Sequence, residues 1–137
     1  MMVVDASVAI KWIVPERDSQ QAKLFLQTHL SQKEKILVPD LFYYEIANTL
    51  TTKFVIPANK GLALLREIFK FDLLLYHPVQ DDIESAIRLS REFKTSVYDM
   101  LYAVVAQKHK TILVTADERF VKITKFSFVR LLSEYRI

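Results

Sequence analysis

The chain has no cysteine, which excludes disulfides, thiolate nucleophiles and zinc sites built on thiolates. Its three histidines, His29, His77 and His109, are scattered and do not form a histidine-rich metal site, so any metal here is one held by oxygen. One glycine and four prolines in 137 residues leave little material for flexible linkers, and no repeat, low-complexity tract or heptad series runs through the chain. No apolar run reaches the roughly 18 residues of a membrane span. The start Met1-Met2-Val3-Val4 lacks the basic region and long apolar stretch of a secretion signal, so a cytoplasmic location without a membrane partner is expected.

What is present is 51% hydrophobic composition, enough for one core, in a length too short for two ordinary domains. A single domain over residues 1–137 is expected. Nineteen Lys and Arg against 16 Asp and Glu leave a formal net charge of +3, compatible with nucleic acid as a partner but ordinary for a soluble protein.

Short apolar runs alternate with longer stretches of helical periodicity. Met2-Val3-Val4, Ile36-Leu37-Val38, Leu73-Leu74-Leu75, Thr111 to Val114 and Phe126 to Leu131 read as strands, the last at an edge. Ser7 to Val14 is a helix stopped by Pro15, and Ser19 to Leu30 a second with Ala22, Phe25, Leu26 and Leu30 inward. Asp40 caps a long helix to about Phe54, with Leu41, Tyr44, Ala47 and Leu50 as its apolar periodicity, and Pro57 opens another to about Phe69. Asp81 to Phe93 carries an inward stripe of Ile83, Ala86, Ile87 and Leu89. Ser96-Val97-Tyr98-Asp99 has the form of a capping box ahead of a helix from Met100 to His109, and Glu118 to Lys122 is a short helix. This alternation predicts an α/β fold, a parallel sheet covered on both faces.

Ligands of such sheets gather at the carboxyl ends of the strands. Asp5 ends the first strand, Asp117 lies just beyond the Val114 strand, and Asp99 stands at a helix start. Divalent Mg²⁺ or Mn²⁺ prefers a few carboxylates and retained waters, which such a cluster offers. Glu45 has no Lys or Arg three or four residues away, and an unpaired glutamate on a partly apolar face is costly to bury unless a cation or solvent meets it. Asn48, one turn on, is placed to hydrogen-bond a ligating carboxylate or its water. Each acid also has a plain alternative: Asp5 and Asp117 as helix starts, Asp99 as part of a capping box, Glu45 facing water. Ser7 likewise fits a helix-start hydroxyl. Function is argued only by their joint arrangement. The histidines read as structural or solvent-facing, and Tyr43, Tyr44 and Phe54 as core or subunit interface rather than base-stacking groups. Lys11, Lys53, Lys60 and Arg119 lie near the acids in element order and are candidates to neutralise an RNA backbone, a solvated surface being the alternative.

Four segments, in order, resemble the successive motifs of PIN-domain nucleases, in particular the VapC-like toxins of type II toxin–antitoxin pairs. They are Val3-Val4-Asp5-Ala6-Ser7, Pro39 to Asn48 (PDLFYYEIAN), Tyr98-Asp99-Met100-Leu101-Tyr102-Ala103, and Val114-Thr115-Ala116-Asp117-Glu118-Arg119-Phe120. The resemblance implies a three-layer α/β/α sandwich with a short, mainly parallel central sheet, and a Mg²⁺- or Mn²⁺-dependent ribonuclease. It places the metal-binding acids at Asp5, Glu45, Asp99 and Asp117, with Ser7 as the hydroxyl following the first and Thr115 as the one preceding the last. A homodimer and a cognate antitoxin are also implied. The rival expectations are an RNA-processing nuclease of the same fold with a housekeeping role, and a non-catalytic RNA-binding or scaffolding domain.

Overall fold

Five strands, each of three or four residues, form one all-parallel sheet in the computed structural model, which describes residues 1–137. They are β1 (Met2–Val4), β2 (Ile36–Pro39), β3 (Leu74–Tyr76), β4 (Leu113–Thr115) and β5 (Val129–Leu131), in the order β3-β2-β1-β4-β5. Helices α1 (Ala6–Ile13) and α2 (Ser19–Leu30) follow β1, and α3 (Leu41–Thr52) and α4 (Ala58–Lys70) follow β2. Helices α5 (Gln80–Phe93) and α6 (Val97–Lys108) follow β3, and α7 (Glu118–Thr124) follows β4. Parallel crossovers are right-handed. Since the chain steps one way from β1 to β3 and the other way from β3 to β5, α1 to α4 cover one face and α5 to α7 the other. The expected three layers are therefore present.

The central strands are buried on both faces, with Val3, Val4, Val38 and Val114 fully inaccessible, which is why they read as continuous apolar runs. Helix α6 is buried throughout from Met100 to Ala106, as a helix without a polar face must be. It begins at Val97, three residues before the expected start, because the Ser96 hydroxyl accepts from the Asp99 amide at 3.0 Å and caps the first turn. The return bond of a capping box, from the Ser96 amide to the Asp99 carboxylate, is not formed.

Three inward stripes differ from expectation. In α2 His29 is buried and Leu30 is exposed. The Ile36 amide donates to His29 Nδ1 at 3.1 Å, so Nε2 carries the proton and faces the carbonyls of Phe71 (3.0 Å) and Asp72 (3.2 Å). In α3 the inward residues are Phe42, Ile46 and Leu50, while Tyr44 is 70% exposed. In α5 they are Asp82, Ala86 and Ser90, with Ile83 and Ile87 open to solvent. In α2 and α5 buried polar groups with hydrogen-bond partners, His29, Asp82 and Ser90, take inward positions, whereas α3 carries apolar residues on more than one face, so its periodicity does not single out the inward one. Strand β5 begins at Val129 rather than Phe126; Phe126 instead stacks on Phe128 and meets Phe93 edge-on.

Candidate active site

The strand order reverses between β1 and β4, and the carboxyl ends of these neighbours, paired through Val4 and Val114, open the crevice where parallel sheets bind ligands. Asp5 is the first residue beyond β1 and Thr115 the last of β4. Both Asp5 oxygens are engaged. The Ser7 hydroxyl donates to Oδ1 at 2.5 Å, with the Val8 amide at 3.3 Å, and the Thr115 hydroxyl donates to Oδ2 at 2.5 Å. Each hydroxyl in turn accepts from the β4–α7 turn: Ser7 from the Ala116 amide and Thr115 from the Asp117 amide, both at 3.0 Å. Two hydroxyls thereby tie the ends of β1 and β4 together through one carboxylate.

Asp5 and Asp117 are helix N-caps that also line the cleft, so capping does not exclude a place in it. Asp5 accepts from Val8 at the start of α1, and Asp117 from Phe120 at 3.0 Å at the start of α7. A carboxylate has more acceptor positions than a cap uses. Glu45 projects from α3 toward α6, where the hydroxyl of fully buried Tyr102 donates to its Oε1 at 2.6 Å. Tyr102 lies three residues after Asp99, one turn along the same face of α6. That spacing was a legible signal for a residue the sequence reasoning did not single out.

The four acids line one open cleft of about 260 Å³ together with Ser7, Asn48, Thr49 and Tyr102, and Lys53 is its sole cationic lining residue. No three of the acids meet at a common coordinating distance; they share a cleft rather than a point. Burial pushes the Asp5 carboxyl up to about 6, against the hydrogen bonds from Ser7, Thr115 and Val8, and Asp99 adds repulsion. Burial also raises Glu45, opposed by Tyr102 and reinforced by Asp99. Asp99 is raised by desolvation, opposed by the Ser96 hydroxyl, raised further by Asp117 and eased by Arg119. The cleft thus concentrates negative charge that its own side chains do not neutralise.

The expected basic residues are placed unevenly. Lys53 reaches the rim of the cleft, and Arg119 is close enough to Asp99 to favour its charge. Lys11 and Lys53 are both paired with Glu16, a residue with no signal in the periodicity. Lys60 is exposed on α4 and does not line the cleft.

The PIN domain family model matches residues 2–125. The chain belongs to the PIN-domain family. Ribonuclease VapC3 of Pyrobaculum aerophilum is 30% identical to this PIN domain over 122 residues, covering 86% of this chain and 90% of that protein. Among solved structures, a toxin–antitoxin complex from Klebsiella pneumoniae superposes with a TM-score of 0.70 at 18% identity, covering 100% of both chains. VapC20 of Mycobacterium tuberculosis, a toxin that cleaves the sarcin–ricin loop, superposes with a TM-score of 0.69 at 18% identity over 95% of this chain and 99% of that one. These structural likenesses establish the fold of the PIN domain. No helix of it is long and apolar enough to cross a membrane.

Proposed function

We propose that this PIN domain is a metal-dependent ribonuclease that hydrolyses phosphodiester bonds in RNA, and that it is the toxin of a toxin–antitoxin pair. The observation that carries the reading is the convergence of Asp5, Glu45, Asp99 and Asp117, from four elements, on one cleft at the sheet's switch point. The 30% identity to a protein named a ribonuclease supports it, as does a fold shared with a chain of a toxin–antitoxin complex.

The donor set fits a hard divalent cation: it is all oxygen, it is repelled by itself, and it lacks internal compensation. Asp5, Asp99, Glu45 and Asp117 would hold Mg²⁺ or Mn²⁺, directly or through water. When bound, the ion supplies Lewis acidity toward water and the phosphodiester oxygens. The protein's own part is placement. Ser7 and Thr115 fix the Asp5 carboxylate and commit their protons to it, keeping its charged form available. Tyr102 does the same for Glu45 on the opposite wall. Thr115 also orients the turn that presents Asp117. Asn48 lines the cleft one turn from Glu45 and can donate to a water or a phosphate oxygen.

An antitoxin tail would place an Arg or Lys among these carboxylates, because a guanidinium satisfies the same charge deficit. Exposed Tyr44 on α3 and Leu62 and Phe69 on α4 support a homodimer. The test is to incubate purified protein with total RNA in Mn²⁺ and in chelator and to sequence the new RNA ends. Discrete ends formed only with metal are expected; no cleavage of any RNA in Mn²⁺ favours the non-catalytic alternative.

A further inference from the structure

The cation at the rim of the acidic cleft already has an anion. Lys53 is the C-cap of α3, two turns beyond Glu45, and its ammonium lies 3.3 Å from Glu16 Oε1. The other oxygen, Oε2, lies 3.3 Å from the ammonium of Lys11 on α1. Glu16 sits in the turn between α1 and α2, where its amide donates to the Ser19 hydroxyl at 2.9 Å. One carboxylate therefore joins the two helices that wall the cleft, through a lysine from each.

The three partners differ in access: the Lys11 and Glu16 side chains are 12% and 19% exposed, whereas Lys53 is 60% exposed. An ion pair with one partner so open to water contributes little and exchanges readily. RNA entering a cleft lined by four carboxylates needs a cation at its mouth, because phosphate neutralisation dominates nucleic-acid affinity. The charge required is on Lys53, and Glu16 holds it.

The geometry points to Glu16, anchored by Lys11, as an intramolecular stand-in for an RNA backbone phosphate, which occupies Lys53 in the free protein and gives it up when single-stranded RNA binds beside the acidic cleft. Glu16 then sets a threshold: RNA must compete with a tethered carboxylate for Lys53 before it can approach the acids. This inference rests on RNA being the substrate. Removing the Glu16 charge, which lies outside the acidic cluster, strengthens RNA binding by freeing Lys53.

The test is fluorescence anisotropy of a short labelled single-stranded RNA in Ca²⁺, with cleavage of total RNA in Mn²⁺ measured alongside. Glu16→Gln keeps the shape and removes the competing charge, so RNA should bind about 3- to 10-fold more tightly at low salt, a change that shrinks as salt rises. Lys53→Gln should weaken binding and reduce the salt slope by about 0.7, the contribution of one phosphate contact on a single strand. In a Lys11→Gln, Lys53→Gln background, Glu16→Gln should have no effect. Undiminished gain in that background would mean that Glu16 acts only through overall charge, and unchanged affinity in the single variant would mean that it only ties the turn. Either result overturns the inference while leaving the ribonuclease reading intact if the parent still cuts RNA. A parent that neither binds nor cuts RNA overturns both.

Discussion

Asp5 is held on both oxygens by neighbouring donors, but its burial outweighs them and costs stability as long as it stays charged. Its carboxyl titrates near 6 in the folded protein against 3.8 for the ordinary group. Between these values the folded state binds more protons than the unfolded one, so stability falls as pH rises through the window and stays reduced above it. Asp5→Asn removes this penalty. In chelator, the variant should exceed the parent by about 1–3 kcal/mol well above pH 6, with no such gain below 3.8, as read from urea denaturation at both pH values. Tyr102→Phe tests the other wall. It deletes one hydroxyl and leaves the ring in place, so the fold should survive at a cost of about 1–2 kcal/mol, while Mn²⁺ binding by calorimetry should weaken about 10-fold. Unaltered Mn²⁺ binding would reduce Tyr102 to a core residue. That the four acids share one cleft was legible from strand ends for Asp5 and Asp117, a helix start for Asp99 and helical geometry for Glu45, while the hydroxyl of Thr115 was marked only by the family resemblance. Glu16 was not legible, because it contacts its lysines across a turn and between elements, at separations that no helical or strand period marks.

At the scale of elements, the strands and helices were legible nearly throughout, since short apolar runs and helical periods alternate cleanly. The inward face of α3 was not, because its apolar residues occupy more than one face, and those of α2 and α5 were not, because hydrophobicity alone cannot show that a polar side chain has found partners. Asp82 is the clearest case. It accepts from the Tyr76 hydroxyl at 2.5 Å, the Val79 amide at 2.9 Å and the Lys108 ammonium at 3.0 Å, which docks the start of α5 against β3 and α6. Burial alone would raise its pKa, but the Tyr76, Val79 and Lys108 interactions outweigh it and the carboxyl is held below its usual range. A depressed acid contributes stability above its unfolded pKa and loses it as pH falls through the folded value. Asp82→Ala should therefore cost about 2–4 kcal/mol near neutral pH, with a smaller deficit under acid conditions. An equal loss at both pH values in denaturant titrations would assign the effect to packing.

For the whole molecule, the exposed apolar side chains Tyr44, Leu62 and Phe69 on α3 and α4 predict self-association. Light scattering should give a dimeric mass that persists on tenfold dilution, and a monomeric mass throughout would contradict it. The central claim is that four carboxylates delivered by the sheet and its helices act together as one metal-dependent nuclease site. Asp99 tests it most directly, because the Ser96 cap that starts α6 accepts from the Asp99 backbone amide and does not depend on the carboxylate. In Asp99→Asn the fold should therefore persist, and relief of repulsion should leave the metal-free protein at least as stable as the parent. Excess Mn²⁺ should raise the parent's Tm more than the variant's, since ligand that binds only the native state stabilises it by mass action. The decisive measurement is cleavage of total RNA in Mn²⁺ by Asp99→Asn beside the parent. Loss of cleavage with the fold retained is the predicted result, and a variant that cuts at the parental rate would contradict the account.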